Sequence, residues 1–160
     1  MATTLERAAL AAVLLLGTAL PAAAQSPQDR LWDASVAGDT AAIRAAVAAG
    51  ARLDSLDTRR SRNGRHPLNW AALNDRVPAL RLLLELGAPL EAENLTGFTA
   101  LHHAAEAGSL EAARFLLAAG ADPKHANAAG LLPSDTAAEQ GFPAIVTLLE
   151  AAERGERPPR

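Results

Sequence analysis

The feature that most constrains this chain is a period of about 33 residues that returns along its sequence. The block from Gly97 to Gly120 holds two short segments, each with an apolar face and each closed by a glycine. Glycines equivalent to those of this block lie one period away, at Gly64, Gly87, Gly130 and Gly141. A fixed period of this length indicates a stack of similar units, each of which buries its apolar face against its neighbours.

The composition suits thin helices packed through small side chains. The chain has 160 residues, which favours one domain, and its apolar share of 49% is mostly Ala and Leu, with 3% aromatics and no Tyr. The absence of Cys excludes disulfides, thiolate metal sites and thiol nucleophiles. A net charge of -3 provides no basic excess that would argue for nucleic acid.

The N-terminal segment, residues 1–24, has the form of a secretory signal peptide. Arg7 precedes an apolar run over residues 8–20, Pro21 breaks it, and Ala22–Ala24 provide small residues for cleavage. This run is shorter than the roughly 20 residues that span a bilayer. We therefore predict cleavage near Ala24, a mature chain that starts at Gln25, and a periplasmic or secreted location. The alternative is an uncleaved N-terminal anchor.

The repeating part is predicted to start at Asp29, after a short linker over residues 25–28. Asp29 and Asp39 suit helix caps, and Pro67 and Pro78 suit the first turns of helices. The predicted repeats cover about 29–57, 58–94, 95–127 and 128–153, and residues 154–160 form a flexible tail.

One connection is longer than the others. Gly50 is separated from Gly64 by four more positions than Gly87 is from Gly97, which indicates an insertion. The inserted stretch contains almost nothing apolar and is rich in arginine, and we predict a solvated, extended loop. Its arginines, Arg59, Arg60, Arg62 and Arg65, could bind an acidic protein, a phosphate group or an anionic membrane surface. A purely solubilising role is the other interpretation.

Two motifs connect this pattern to a known family. The segment GFTALHHAA at residues 97–105 is similar to G-x-T-P-L-H-x-A-A of ankyrin repeats, and LLAAGADP at 116–123 is similar to their L-L-x-x-G-A-D-x. The resemblance covers residues 29–153 and implies an all-α solenoid of about four helix-turn-helix repeats with projecting β-turn fingers. Asn69 and Asp135 stand where the third repeat has His102, which should weaken the bonds that fasten the turn to the helix.

The resemblance also implies where a partner binds, namely the finger tips and the concave face of the first helices. Carried over by position, Leu95, Phe98 and Leu131 would be exposed apolar residues beside the arginine-rich finger, unless Phe98 is tucked against its neighbour. The candidate partner-binding residues are Arg59, Arg60, Arg62, Arg65, Leu73, Asn74, Leu95, Phe98, Glu106 and Leu131.

The remaining polar residues do not indicate catalysis, a cofactor or a metal. His102 is expected to bond to Thr99 and to the backbone, and His103 to pack between stacked helices. Ser109 and Ser134 fall where helix caps are expected. The glycines have the spacing of residues that end the helices of each repeat, not that of a phosphate-binding loop. Trp70 and Trp32 are predicted to be packing residues, with Trp32 near the end of the stack.

These observations favour a non-catalytic scaffold, exported to the periplasm and monomeric, that binds a partner protein. The alternative is an envelope-tethered structural or accessory protein that contacts anionic lipid or an enzyme partner. Because binding surfaces are grafted onto a common frame, the sequence does not name the partner.

Overall fold

The computed structural model describes residues 25–156 and contains eight α-helices and no strand within that range. The predicted signal peptide and the last four residues of the predicted tail lie outside the described residues. The helices are α1 Pro27–Ala37, α2 Thr40–Ala48, α3 Pro67–Leu73, α4 Val77–Glu85, α5 Ala100–Ala107, α6 Leu110–Ala118, α7 Pro133–Gln140 and α8 Pro143–Glu153.

The helices form four pairs stacked side by side. Each odd-numbered helix packs against the even-numbered helix that follows it and against the odd-numbered helix of the next pair. The even-numbered helices form a second row in the same way. This arrangement confirms the predicted all-α solenoid of four helix pairs.

The core repeats with the sequence. Leu31, Leu68 and Leu101 occupy equivalent positions of α1, α3 and α5, and each is at most 1% exposed. Burial of each such side chain stabilises the fold by roughly 1.5–3 kcal/mol. Fully buried alanines such as Ala71 and Ala104 lie between these leucines. Because alanine side chains are small, neighbouring helices approach closely without any large aromatic core.

The first two helices begin at polar caps. The Ser26 hydroxyl accepts a hydrogen bond from the Asp29 amide at 3.0 Å, and the Asp29 carboxylate accepts one from the Ser26 amide at 3.2 Å. Asp29 is therefore the inner partner of a capping box, one turn inside the helix, and Ser26 is the cap itself. Asp39 caps α2 as predicted, since its carboxylate accepts a hydrogen bond from the Ala42 amide at 3.0 Å.

The two serines predicted as caps have other places in the structure. Ser109 precedes α6 but makes no side-chain cap; its hydroxyl donates to the Leu73 carbonyl of the preceding repeat at 3.1 Å. Ser134 lies inside α7, where it is buried. The prediction of side-chain caps at these positions is wrong, and the Ser109 hydroxyl joins two repeats instead.

The cap of α6 comes from the preceding repeat. Asp75 has a left-handed backbone, with φ 55, at the place where α1, α5 and α7 end in Gly38, Gly108 and Gly141. Its carboxylate accepts a hydrogen bond from the Ala112 amide, in the first turn of α6, at 2.7 Å. An aspartate replaces a glycine here and supplies a bond between repeats, which the sequence analysis missed.

Candidate functional site

Three connections project from the stack, and we call them the first finger (residues 51–66), the second finger (88–99) and the third finger (121–132). Each turns around one buried polar residue: Asp57, Asn94 or Asn127. The Asn94 side-chain oxygen accepts hydrogen bonds from the Thr96 and Phe98 amides and from the Thr96 hydroxyl, each at 2.9 Å.

The same closure recurs in the other fingers. The Asn127 oxygen accepts hydrogen bonds from the Ala129 amide at 2.9 Å and the Leu131 amide at 3.1 Å, and Asp57 accepts one from the Arg59 amide at 3.0 Å. The sequence analysis missed these residues, although Asn94 and Asn127 lie one repeat period apart, which was a usable signal. Their hydrogen bonds fix the shape of each tip.

Neighbouring fingers are joined to each other through the backbone. The Leu95 amide donates to the Asn63 carbonyl at 2.9 Å, and the Ala128 amide donates to the Thr96 carbonyl at 3.1 Å. Gly97 permits this contact, because a Cβ there would lie 2.6 Å from the Ala128 nitrogen. Equivalent residues of the three fingers therefore form one line, which we call the tip row: Arg62, Leu95 and Ala128.

The first finger folds back onto α1. The Arg59 guanidinium lies 2.8 Å from Asp29, 3.1 Å from Asp33 and 2.9 Å from the buried Asp57 carboxylate. The Arg60 guanidinium lies 2.9 Å from Asp33. The prediction of a solvated, extended loop is therefore wrong, because three of the four arginines, Arg65 with Glu106 included, pair with carboxylates of the same chain.

Burial and pairing act in opposite directions on Asp57. Burial alone raises the pKa of this carboxyl group, but hydrogen bonds from the side chain and the amide of Arg59 outweigh it. The pKa of Asp57 consequently lies below its ordinary value, and the group is charged at neutral pH. Arg59 is thus the counter-charge that permits a buried carboxylate in the first finger.

Two tryptophans lie under these arginines. The Arg59 guanidinium lies 4.8 Å from the centre of the Trp32 ring, and those of Arg65 and Arg60 lie 4.8 Å and 5.9 Å from the centre of Trp70. Such stacking is worth about 0.5–1 kcal/mol at exposed sites. The Trp32 ring nitrogen also donates to the Ser55 carbonyl at 3.1 Å. Both rings pack as predicted and hold the first finger against the stack.

The candidates on the first-helix face are partly occupied within the chain. Leu73 is half-buried, and the Asn74 side chain donates to the Trp70 carbonyl at 2.8 Å. The Glu106 carboxylate lies 2.9 Å from the His103 ring and 3.5 Å from the Arg65 guanidinium. A hydrogen bond from His103 lowers the pKa of Glu106, so its charge is held between two partners.

The three apolar candidates differ in exposure. Leu95 is 66% exposed at the tip of the second finger. Phe98 and Leu131 are half-buried, so the expectation that all three are exposed is wrong for these two. The Phe98 ring packs against His102 and His103 with ring centres 5.2 Å and 5.6 Å apart. Phe98 is therefore tucked against its neighbours, with its ring tilted against both imidazole rings.

His102 bonds to Thr99 and to the backbone, as predicted, and its backbone partner lies in the third finger. Its Nδ1 accepts a hydrogen bond from the Thr99 amide at 3.3 Å, and its Nε2 donates to the Leu131 carbonyl at 3.1 Å. At the equivalent position the Asn69 side chain donates to the Phe98 carbonyl across 3.5 Å, which agrees with the predicted weakening. For Asp135 the prediction is wrong, because its carboxylate accepts a hydrogen bond of 2.8 Å from the Leu132 amide, shorter than the bond of 3.3 Å from the Thr99 amide to His102. Burial lowers the pKa of His102.

Neither a metal cluster nor a membrane span occurs in the part of the chain that the structure describes. Within residues 25–156 no group of three or more His, Cys, Asp or Glu side chains is arranged to hold a metal ion. None of the eight helices in that range has the length and apolar character that crossing a bilayer requires.

The comparison with protein families agrees with the geometry of the helix pairs and fingers. The profile described as "Ankyrin repeats (3 copies)" matches residues 31–127. The chain belongs to the ankyrin-repeat family. Ankyrin repeats account for the paired helices, the fingers and the sequence period together, and the family resemblance of the GFTALHHAA segment is confirmed.

Several longer proteins are similar to this chain over part of their length. The chain is 39% identical over 105 residues to human ankyrin repeat domain-containing protein 63, and the match covers 61% of this chain and 28% of that protein. It is 40% identical over 85 residues to mouse protein phosphatase 1 regulatory subunit 27, covering 53% of this chain and 54% of the relative. It is 31% identical over 126 residues to the Drosophila melanogaster tyrosine-protein kinase Shark, and the match covers 78% of this chain and 13% of that protein.

The chain thus spans from about an eighth to about half of the length of these relatives. The ankyrin-repeat family points to a protein-interaction module.

Proposed function

We propose that this ankyrin-repeat chain is an exported, non-catalytic scaffold that binds a partner protein through its finger tips and its concave helix face. The observation that carries the proposal is the backbone bonding between fingers, from Leu95 to Asn63 at 2.9 Å and from Ala128 to Thr96 at 3.1 Å. These bonds hold three tips in one row before any partner arrives. A preorganised surface loses little conformational entropy on binding, which favours affinity.

The surface near this row carries residues that suit a protein partner. Leu95 is 66% exposed, and it is the one large apolar side chain with high exposure among residues 25–156. Arginine and aromatic anchors are favoured at binding hot spots, and Arg62 and the half-buried Phe98 lie on the first and second fingers. The similarity to protein phosphatase 1 regulatory subunit 27, 40% identical over 85 residues, supports a binding role.

Export is the part of the proposal that rests on sequence alone, namely on the apolar run at residues 8–20 and the small residues that follow it. Mass spectrometry of the protein from fractionated cells tests it. A periplasmic or secreted chain that starts at Gln25 is the expected result. An intact Met1 in the membrane fraction would favour the envelope-tethered alternative, and an intact Met1 in the cytoplasm would exclude export.

The binding role is tested by quantitative affinity capture from an envelope extract. The bait is the mature chain, compared with a Leu95→Arg variant of the tip row and with an Arg44→Ala variant on α2, in the second row of helices. We expect one or more proteins that the wild type and Arg44→Ala capture equally and Leu95→Arg does not. Capture that is unaffected by Leu95→Arg would contradict binding through the finger tips.

A further inference from the structure

Arg62 differs from every other arginine that the structure describes. The other arginines in residues 25–156 have a side-chain hydrogen bond, an ion pair or a ring contact within the chain. Arg62 is exposed and has none of these. A guanidinium carries five donors that match a carboxylate geometrically, and in Arg62 all of them are available to a partner.

Leu95 stands apart among the large apolar residues, as Arg62 does among the arginines, because it remains exposed. It is the large hydrophobic side chain that stays exposed in the described part of the chain, at 66%. Arg62 and Leu95 are equivalent residues of adjacent fingers, since each lies two positions before its finger's glycine, Gly64 or Gly97. The bond from the Leu95 amide to the Asn63 carbonyl, 2.9 Å long, holds these two positions side by side.

We infer that Arg62 and Leu95 together form the anchor for a protein segment that carries one acidic residue next to an apolar one. The Arg62 guanidinium binds the carboxylate, and the apolar side chain of the partner covers Leu95. This inference rests on the proposed function and names the chemistry of the partner at the same surface.

The neighbouring arginines explain why a single carboxylate is expected rather than an acidic run. Arg59 and Arg60 pair with Asp29 and Asp33 at 2.8–3.1 Å, and Arg65 lies 3.5 Å from Glu106. Their charge is already compensated within the chain. An acidic segment therefore meets one uncompensated cation on the tip row, at Arg62.

The charge of the other fingers favours a protein over an anionic membrane. On these two fingers three carboxylates (Glu91, Glu93 and Asp122) outnumber the single ammonium of Lys124, and all four groups belong to residues that are at least partly exposed. The net charge of the chain is -3. A flat anionic surface would meet these carboxylates together with Arg62, whereas a narrow protein segment can contact the tip row alone.

The test uses a random peptide library displayed on phage and selected on the immobilised full chain. Selected peptides are synthesised, and their affinities are measured by fluorescence polarisation for the wild type, Arg62→Ala, Leu95→Ala and the matched control Arg44→Ala. We expect enrichment of Asp or Glu adjacent to Leu, Ile or Phe. We expect each tip-row variant to weaken binding about tenfold, which corresponds to one charged hydrogen bond or one apolar contact, and the control to have no effect.

Charge reversal separates a direct contact from an indirect effect. Arg62→Glu should abolish binding of the acidic peptide and gain binding of the same peptide with its acidic residue changed to Lys. Peptides without acidic enrichment, or affinities unchanged in Arg62→Ala, would overturn the anchor while leaving the scaffold function in place. If no peptide is selected and the chain binds phosphatidylglycerol-containing vesicles instead, both the anchor and the protein scaffold are contradicted.

Discussion

The first and second fingers each close around a buried polar residue, but they differ in length and chemistry, since Asp57 pairs its backbone with Arg65 and Asn94 pairs its backbone with Phe98. In the second finger the neutral Asn94 closes the turn with three hydrogen bonds of 2.9 Å, and Leu95 at the tip stays exposed. In the first finger the charged Asp57 needs Arg59, and Arg59 then also pairs with α1. An arginine-rich loop is therefore not equivalent to a basic binding surface, because most of its charge is used to hold the loop itself.

The largest expected effect on stability comes from replacing Asn94, the neutral residue that closes the second finger. Asn94→Ala removes three hydrogen bonds from a buried position, and we expect the free energy of unfolding to fall by about 3 kcal/mol, against about 2 kcal/mol for Asn127→Ala, which removes two. Urea denaturation measures both. The exposed Asn63→Ala is the control, with a change below about 0.5 kcal/mol. Equal midpoints for Asn94→Ala and Asn63→Ala would mean that the turn does not depend on this side chain.

The cap that Asp75 provides between repeats should have a smaller effect. Asp75→Ala removes the bond to the Ala112 amide and leaves alanine in a left-handed backbone that aspartate tolerates better, so we expect the free energy of unfolding to fall by about 2 kcal/mol. Asp75→Gly removes the bond but relieves the backbone, and its stability should stay within about 1 kcal/mol of the wild type. Thermal and urea unfolding of the two variants separate the contribution of the hydrogen bond from that of the backbone conformation. A glycine variant that is less stable than the alanine variant would be inconsistent with the left-handed conformation.

The buried histidines predict how stability depends on pH. Burial lowers the pKa of His102 and His103 below the ordinary value of 6.5. Just below pH 6.5 the unfolded chain therefore binds more protons than the folded chain, so the free energy of unfolding falls as the pH drops through this window.

His103→Thr tests this dependence, because Thr136 stands at the equivalent position of the fourth repeat. We expect the urea midpoint to fall less steeply from about pH 7 to about pH 5 than in the wild type, since one of the two histidines no longer titrates. The slope, rather than the absolute stability, is the measured quantity. A slope identical to that of the wild type would exclude His103 as a source of the pH dependence.

The tip row should have the smallest effect on stability. Leu95→Asn changes a side chain that is 66% exposed, so the free energy of unfolding should change by less than about 0.5 kcal/mol. Circular dichroism and urea unfolding check this value. A loss above about 1 kcal/mol would mean that Leu95 packs within the fold and is not free for a partner.

The fold could be predicted from the sequence because it depends on repeated local features. Fixed spacings separate the glycines that end helices, the GFTALHHAA segment and the leucines of each repeat. These spacings determine which helix faces are buried. The roles of His102 and Trp70 followed from their positions within the repeat. These properties need no knowledge of contacts between distant residues.

The site could be predicted only in part, because pairing between distant residues decides it. The sequence indicated four arginines in one loop, but not that Asp29 and Asp33 of α1 lie within 3.1 Å of Arg59. Likewise, nothing in the local sequence distinguishes Leu95 from Phe98. Their exposures differ because the rings of His102 and His103 cover one and not the other.

The central claim is that Arg59 holds the first finger together, whereas Arg62 is available to bind a partner. The most direct test compares the urea unfolding of Arg59→Ala with that of Arg62→Ala. Arg59→Ala leaves the buried Asp57 without its closest counter-charge, and we expect the free energy of unfolding to fall by about 2 kcal/mol, less than for a fully buried pair because the Arg59 side chain is 37% exposed. Arg62→Ala removes a side chain without a partner and should change the stability by less than about 0.5 kcal/mol. Equal losses in the two variants, or a larger loss for Arg62→Ala, would contradict the account.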